Sequence, residues 1–188
     1  MSRHFATDRP LERFGAMRVP WFVLLGAACT QAPQAVPTQR VVPQADSPTV
    51  WLAAHNRERA AFGSAPLSWE PALAAQARSY ARELAAIGRL KHSAKAERPG
   101  QGENLWLGSR GHFAPETMVA NWASEKRYFR RGVFPANSTT GNWRDIGHYS
   151  QIVWPRTTRV GCGLASSARW DVLVCRYSPP GNQDGLRI

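Results

Sequence analysis

Long hydrophobic runs are missing from this chain. The uncharged apolar run from Val19 to Ala28 covers ten residues, too few to cross a bilayer. Cysteine is scarce: three residues, Cys29, Cys162 and Cys175, so that any one pair leaves an odd thiol. Acid is scarce too, with 13 Asp and Glu against 24 Lys and Arg and a formal net charge of +11. No H-E-x-x-H helix motif and no G-x-S-x-G turn occurs, which removes the simplest signatures of a zinc protease and of a serine hydrolase. No internal repeat and no nucleic-acid motif is visible, so no nucleic-acid partner is expected.

The short apolar run has another use. Arg18 precedes it, and it ends Leu25-Gly26-Ala27-Ala28-Cys29, close to a bacterial lipobox in which the chain is cut before Cys and the Cys carries lipid. Gly26 stands where that pattern usually has Leu. Residues 1–28 are therefore read as an export signal, with Met17 an alternative start, and Cys29 as a lipid-anchor site. Plain secretion with a free Cys29 is the other reading. Residues 29–47 are rich in Gln, Ala, Pro, Val and Thr and read as a tether. Residues 48–188 are then one domain, with a core large enough to stand without disulfides. Such a chain is exported, either to a bacterial cell envelope or to the extracellular space.

Inside that domain, Ser47-Pro48 marks a helix start and Gly63 its end near Phe62. Ser68 is the expected cap of a second helix reaching Ile87, with Leu73, Ala77, Tyr80, Ala81 and Leu84 on its apolar stripe and Gly88 as its stop. A third helix is expected from Pro115 to about Arg127, burying Met118, Val119 and Trp122. The alternation in 148–154, 159–164 and 170–177 predicts three strands, mostly antiparallel. Helices first and strands later give an α+β class. Eight tryptophans point to heavy core packing. Cys162 and Cys175 lie on two of the expected strands. They suit a cross-strand disulfide in an oxidising compartment, with two buried thiols as the alternative.

Four islands carry the chemistry: His92-Ser93, Gly102-Glu103-Asn104, Trp122-Ala123-Ser124-Glu125 and Gly147-His148-Tyr149-Ser150-Gln151. Two histidines and two carboxylates, if brought together, could hold a divalent cation or move protons. Glu103 is expected in a turn, His92 in a loop and His148 near the start of a strand. In this order, and with His55-Asn56-Arg57-Glu58-Arg59, Pro66-Leu67-Ser68-Trp69, Val160-Gly161-Cys162-Gly163 and the run from Cys175 to Asn182, the islands resemble the CAP superfamily. That superfamily comprises the cysteine-rich secretory proteins, insect venom antigen 5 and the plant pathogenesis-related proteins.

The resemblance implies a three-layer α-β-α sandwich with a central, mainly antiparallel sheet. It implies that His92, Glu103, Glu125 and His148 meet at an open cleft as a cation-binding set, with zinc the ion that best suits imidazole donors. Ser93, Asn104 and Gln151 are expected to contribute polar groups to a ligand. The implied ligand is an apolar or amphipathic small molecule of the sterol or fatty-acid class. Two other functions stay open: a metal-dependent hydrolase using the same His/Glu cluster, and a basic envelope protein that binds anionic polymers.

Overall fold

The computed structural model describes residues 48–188. The export signal, Cys29, the tether and the Ser47 cap lie outside them. Four helices, α1 (Pro48–Phe62), α2 (Pro71–Ile87), α3 (Pro115–Ala123) and α4 (Gly147–Val153), pack around four strands. The strands are β1 (Ser68–Trp69), β2 (Gly102–Ser109), β3 (Arg159–Ser166) and β4 (Trp170–Ser178), in the order β1-β3-β4-β2. β1 runs parallel to β3, and the other two pairings are antiparallel. Among the described residues no helix is long and apolar enough to cross a membrane.

Strand alternation sorts the core into two layers. On β4, Val172 and Val174 join Ala77, Ala81, Leu84 and Ala85 of α2. Leu173, Cys175 and Tyr177 point the other way and join Trp51, Met118, Val119, Trp122 and Ile152 from α1, α3 and α4. The result is the expected sandwich, with α2 alone on one face. Gly161 and Gly163 explain how closely α2 approaches. A Cβ on Gly161 would stand 2.3 Å from the Ala74 nitrogen, and one on Gly163 would stand 2.4 Å from the Arg78 Cα. Between them Cys162 faces the opposite layer, directly across from Cys175, and the two form a disulfide with Cα atoms 4.1 Å apart.

Four expectations fail locally. The second helix does not start at Ser68; that residue is in β1. Glu70 caps α2 instead, accepting from the Ala72 nitrogen, with Pro71 in the first helical turn. Gly88 closes α2 at φ +66°, as the sequence indicates. Residues 147–153 are a helix rather than a strand. Glu103 is in a strand rather than a turn, because 102–109 is β2, paired along its whole length with β4. The third helix ends at Ala123 and continues as a tighter 3-10 turn over Ser124–Tyr128.

Candidate functional site

β2 is an edge strand, and its first residues connect the two layers. Glu103 stands opposite Arg176 on β4, on the α2 side of the sheet. Asn104 stands opposite Cys175, on the α4 side. His92 follows α2 and reaches the first side; His148, in the first turn of α4, belongs to the second. The cleft between them has a volume of about 1040 Å³, and His92, Glu103, Asn104, His148 and Gln151 all line it.

Each histidine is held by its own carboxylate. His92 Nδ1 lies 2.7 Å from Glu103 Oε1, and His148 Nδ1 lies 2.6 Å from Glu125 Oε1. With the carboxylates ionised, Nδ1 carries the proton and Nε2 keeps its lone pair. Neither Nε2 has a protein partner among the described residues. Trp122 stacks on His148 with ring centroids 5.8 Å apart and planes 16° apart, fixing the ring from one face.

The two carboxylates differ in setting but share one property: their oxygens are occupied. Glu103 has a side chain of 0% exposure. Besides His92 it accepts from the Ser93 nitrogen at 3.1 Å and the Ser93 hydroxyl at 3.0 Å, and it forms an ion pair with Arg176 Nη2 at 3.1 Å. Burial alone would raise its pKa. The His92 hydrogen bond, the Arg176 charge and the Ser93 bonds outweigh that and hold it below the ordinary carboxylate value. Glu125 accepts from His148 Nδ1 and from the backbone nitrogens of His148 (2.8 Å) and Tyr149 (3.0 Å). It therefore caps the N-terminus of α4 from another element.

The opposite end of α4 is capped as well. Arg59, buried on α1, donates to the carbonyls of Ile152, Trp154, Thr157 and Ala65. A seven-residue helix without local caps is thus tied at both ends by side chains distant in sequence. Behind it runs a buried polar chain. His55 Nδ1 donates to the Trp51 carbonyl, and the Tyr177 hydroxyl donates to His55 Nε2 at 2.8 Å. Asn104 Nδ2 donates to the Tyr177 oxygen and to the His148 carbonyl, both at 3.1 Å. Burial pushes the His55 pKa down to about 4, so its ring is neutral.

The polar neighbours are placed as follows. Ser93 is buried and directed at Glu103. Asn104 and Gln151 line the cleft, yet both amides are engaged with protein. Gln151 Oε1 accepts from the Gly181 nitrogen and Nε2 donates to the Thr157 hydroxyl. Gln151 also explains Gly102: a Cβ there would stand 2.0 Å from Gln151 Oε1. One cluster of potential ligand atoms, His55 with Cys162 and Cys175, draws within 4.8 Å, but its sulfurs are bonded to each other and offer no thiolate.

Sequence reasoning missed Arg176, which neutralises Glu103, and Lys95, Arg98 and Arg144, which line the cleft. Arg176 sits next to Cys175, and recognising β2 as a strand would have set it against Glu103.

Comparison with known proteins agrees with this architecture. The model for the cysteine-rich secretory protein family, CAP, matches residues 52–177. A pathogenesis-related protein of PR-1 type from Sambucus nigra is 34% identical over 169 residues, 89% of this chain and 96% of that protein. Pathogenesis-related protein 1C of Nicotiana tabacum is 39% identical over 137 residues, 72% of this chain and 76% of that protein. Among solved structures, NaASP2 with Zn2+ aligns with a TM-score of 0.64 at 22% identity, over 74% of this chain and 82% of that one. BmVAL-1 aligns with a TM-score of 0.64 at 20% identity, over 81% and 85%. At these identities the likeness is one of fold.

Proposed function

This chain belongs to the cysteine-rich secretory protein family, and from that premise we propose that it is an exported binding protein. Its cleft takes a divalent cation, zinc by donor chemistry, together with an apolar or amphipathic small molecule. One observation carries the reading: both cleft imidazoles give Nδ1 to a carboxylate and keep Nε2 without a partner among the described residues. That is how protein histidines are prepared for a metal. His92 and His148 would hold the ion, and Glu103 and Glu125 orient the rings. A bound zinc ion supplies fixed positive charge and Lewis acidity, and two histidines leave positions for a ligand or water.

The hydrolase reading has less support. A glutamate acting as base on a metal-bound water would need a carboxylate free to take a proton, and both here are committed to hydrogen bonds. Phe134, Pro135, Trp143 and Pro180 give the cleft an apolar wall, which suits a lipid-like ligand. The lipobox-like run ending at Cys29 supports lipid anchoring at a bacterial envelope. Anomalous scattering at the zinc edge on zinc-grown crystals, with mass spectrometry of co-purified lipid, tests the proposal. Scattering beside His92 and His148 is expected; zinc elsewhere, or turnover of an ester or peptide lost in Glu125→Ala, would overturn it. Membrane fractionation of Cys29→Ser tests the anchor, whose loss should free the domain.

A further inference from the structure

The end of the sheet opposite the cleft gathers arginines around exposed aliphatic side chains. β2 starts at the cleft, where Gly102 pairs with Tyr177, and ends at Ser109, which pairs with Trp170. Its eight residues, at roughly 3.3 Å each, hold the two ends more than about 20 Å apart. At the far end α2 stops against β4: a Cβ on Gly88 would stand 3.1 Å from Trp170 Nε1. The turns that follow β2 and β3 meet there too. The Arg110 nitrogen donates to the Arg169 carbonyl at 3.0 Å, and Arg110 Nη1 donates to the Ser167 carbonyl at 3.2 Å. Arg89, which follows Gly88, thus shares one tip with Arg110 and Arg169. All three are exposed, and among the described residues none forms an ion pair.

We infer that this tip docks on the surface of an anionic phospholipid bilayer, as a site separate from the cation cleft and from Cys29. Its apolar part is Ile87 and Leu90, on either side of Gly88 and Arg89. Ile87 is 55% exposed, the most of any large apolar side chain among the described residues, and Leu90 is 43% exposed. A bilayer interface meets both needs, phosphates for the guanidinium groups and the acyl boundary for the aliphatic side chains. A soluble polyanion would use the arginines and leave Ile87 and Leu90 in water. Asp171, also at this end, is buried and bonded to the Gly111 nitrogen and the Ser166 hydroxyl. The flanking helices carry two exposed carboxylates, Glu83 and Glu116, fewer than the three arginines and the exposed Lys91. The other basic stretch, Lys126 to Arg131, lies at the cleft end, where Phe129 packs on Tyr149. There Lys126 pairs with Glu58, Arg127 covers the Tyr128 ring at 4.7 Å and Arg131 covers Phe62 at 4.0 Å. Docked by the tip, the protein holds its cleft away from the bilayer.

The test is co-sedimentation of the full Cys29→Ser chain, free of covalent lipid, with phosphatidylglycerol vesicles and with phosphatidylcholine vesicles. Binding to phosphatidylglycerol should be about a hundredfold tighter. Arg89→Gln, Arg110→Gln and Arg169→Gln should each weaken it about fivefold, and their effect should shrink in high salt. Ile87→Ser with Leu90→Ser should weaken it about tenfold and leave the salt dependence unchanged. Arg127→Gln with Arg130→Gln removes two charges from the cleft end and should change binding less than about twofold. The substituted side chains are exposed, so circular dichroism should show the fold kept in each variant. Equal binding to both vesicles, arginine variants of the tip that bind as the parent chain does, or an equal loss in the cleft-end variant would overturn the inference. So would unchanged vesicle binding in the Ile87 and Leu90 variant together with binding to dextran sulfate, which would assign the tip to a soluble polyanion.

Discussion

Glu103→Gln replaces a buried anion with a neutral group of the same shape, and the structure says what is left behind. The carboxylate is the counter-ion of Arg176, whose side chain is 5% exposed and 3.1 Å away. Arg176 already carries one unmet donor, Nε; the Tyr80 ring lies 5.4 Å from its guanidinium carbon, and Glu97 also acts favourably on its charge. Arg98, 3.8 Å from Glu103 Oε1, adds a second positive charge to the same pocket. The glutamine amide would also turn donors toward donors, since Arg176 cannot accept. Ser93 could reverse its hydroxyl; the guanidinium has no such freedom. Removing one partner of a buried pair costs about 3–5 kcal/mol. That is a large share of the roughly 5–15 kcal/mol by which a domain of this kind is stable. With a urea slope of about 2 kcal/mol per molar, the midpoint should fall by roughly 2 M. Urea unfolding followed by tryptophan fluorescence measures it, and the slope should not change. The double variant Glu103→Gln with Arg176→Met removes the stranded charge and should recover at least about 1.5 kcal/mol. A single variant losing less than about 1 kcal/mol, or a double variant weaker than the single, would refute the assignment of Glu103 as the counter-ion of Arg176.

Three further outcomes follow from the same geometry. Glu125→Ala removes the cap of α4 and the orienter of His148 together, so it should cost about 1–2 kcal/mol in urea melts and lower zinc affinity about tenfold. His55 is depressed from 6.5 to about 4, so the unfolded chain binds the extra proton first; its contribution is complete above pH 6.5 and is lost as pH falls toward 4. Melts at pH 7.5 and 4.5 should differ by about 3 kcal/mol from this group, and His55→Gln should remove that difference; Glu103 acts in the same sense only below its ordinary value of 4.5. Gly163→Ala places a methyl 2.4 Å from the α2 backbone and should destabilise by at least about 1–3 kcal/mol, measured by thermal unfolding.

Elements with local signals were legible before the structure. α1 runs from Pro48 to Phe62 as its Pro and Gly63 indicate, and Gly88 stops α2. β3 and β4 lie where apolar alternation puts them, and Cys162 meets Cys175 across them. What the sequence hides is structure imposed from a distance. The run 147–153 alternates like a strand, but Glu125 and Arg59 cap both its ends and make it a helix. Glu103 and Asn104 are poor strand formers, and β2 exists through its pairing with β4, some seventy residues on. β1 is two residues long and is defined by its pairing with β3. The two histidines and two carboxylates were named through family resemblance, whereas their pairing, His92 with Glu103 and His148 with Glu125, needed coordinates, as did the finding that Glu125 stands outside the cleft lining.

We propose that the two Nε2 atoms of His92 and His148, without a partner among the described residues, make the cleft a cation site. Calorimetric titration of zinc into the metal-free chain at pH 7.5 tests it most directly, comparing wild type with His92→Ala, His148→Ala and the double variant. One zinc per chain should bind to wild type, and each single substitution should abolish that binding while circular dichroism and melting temperature show the fold intact. Zinc bound by the double variant as tightly as by wild type would contradict the account and leave His92 and His148 as braces for Glu103 and Glu125.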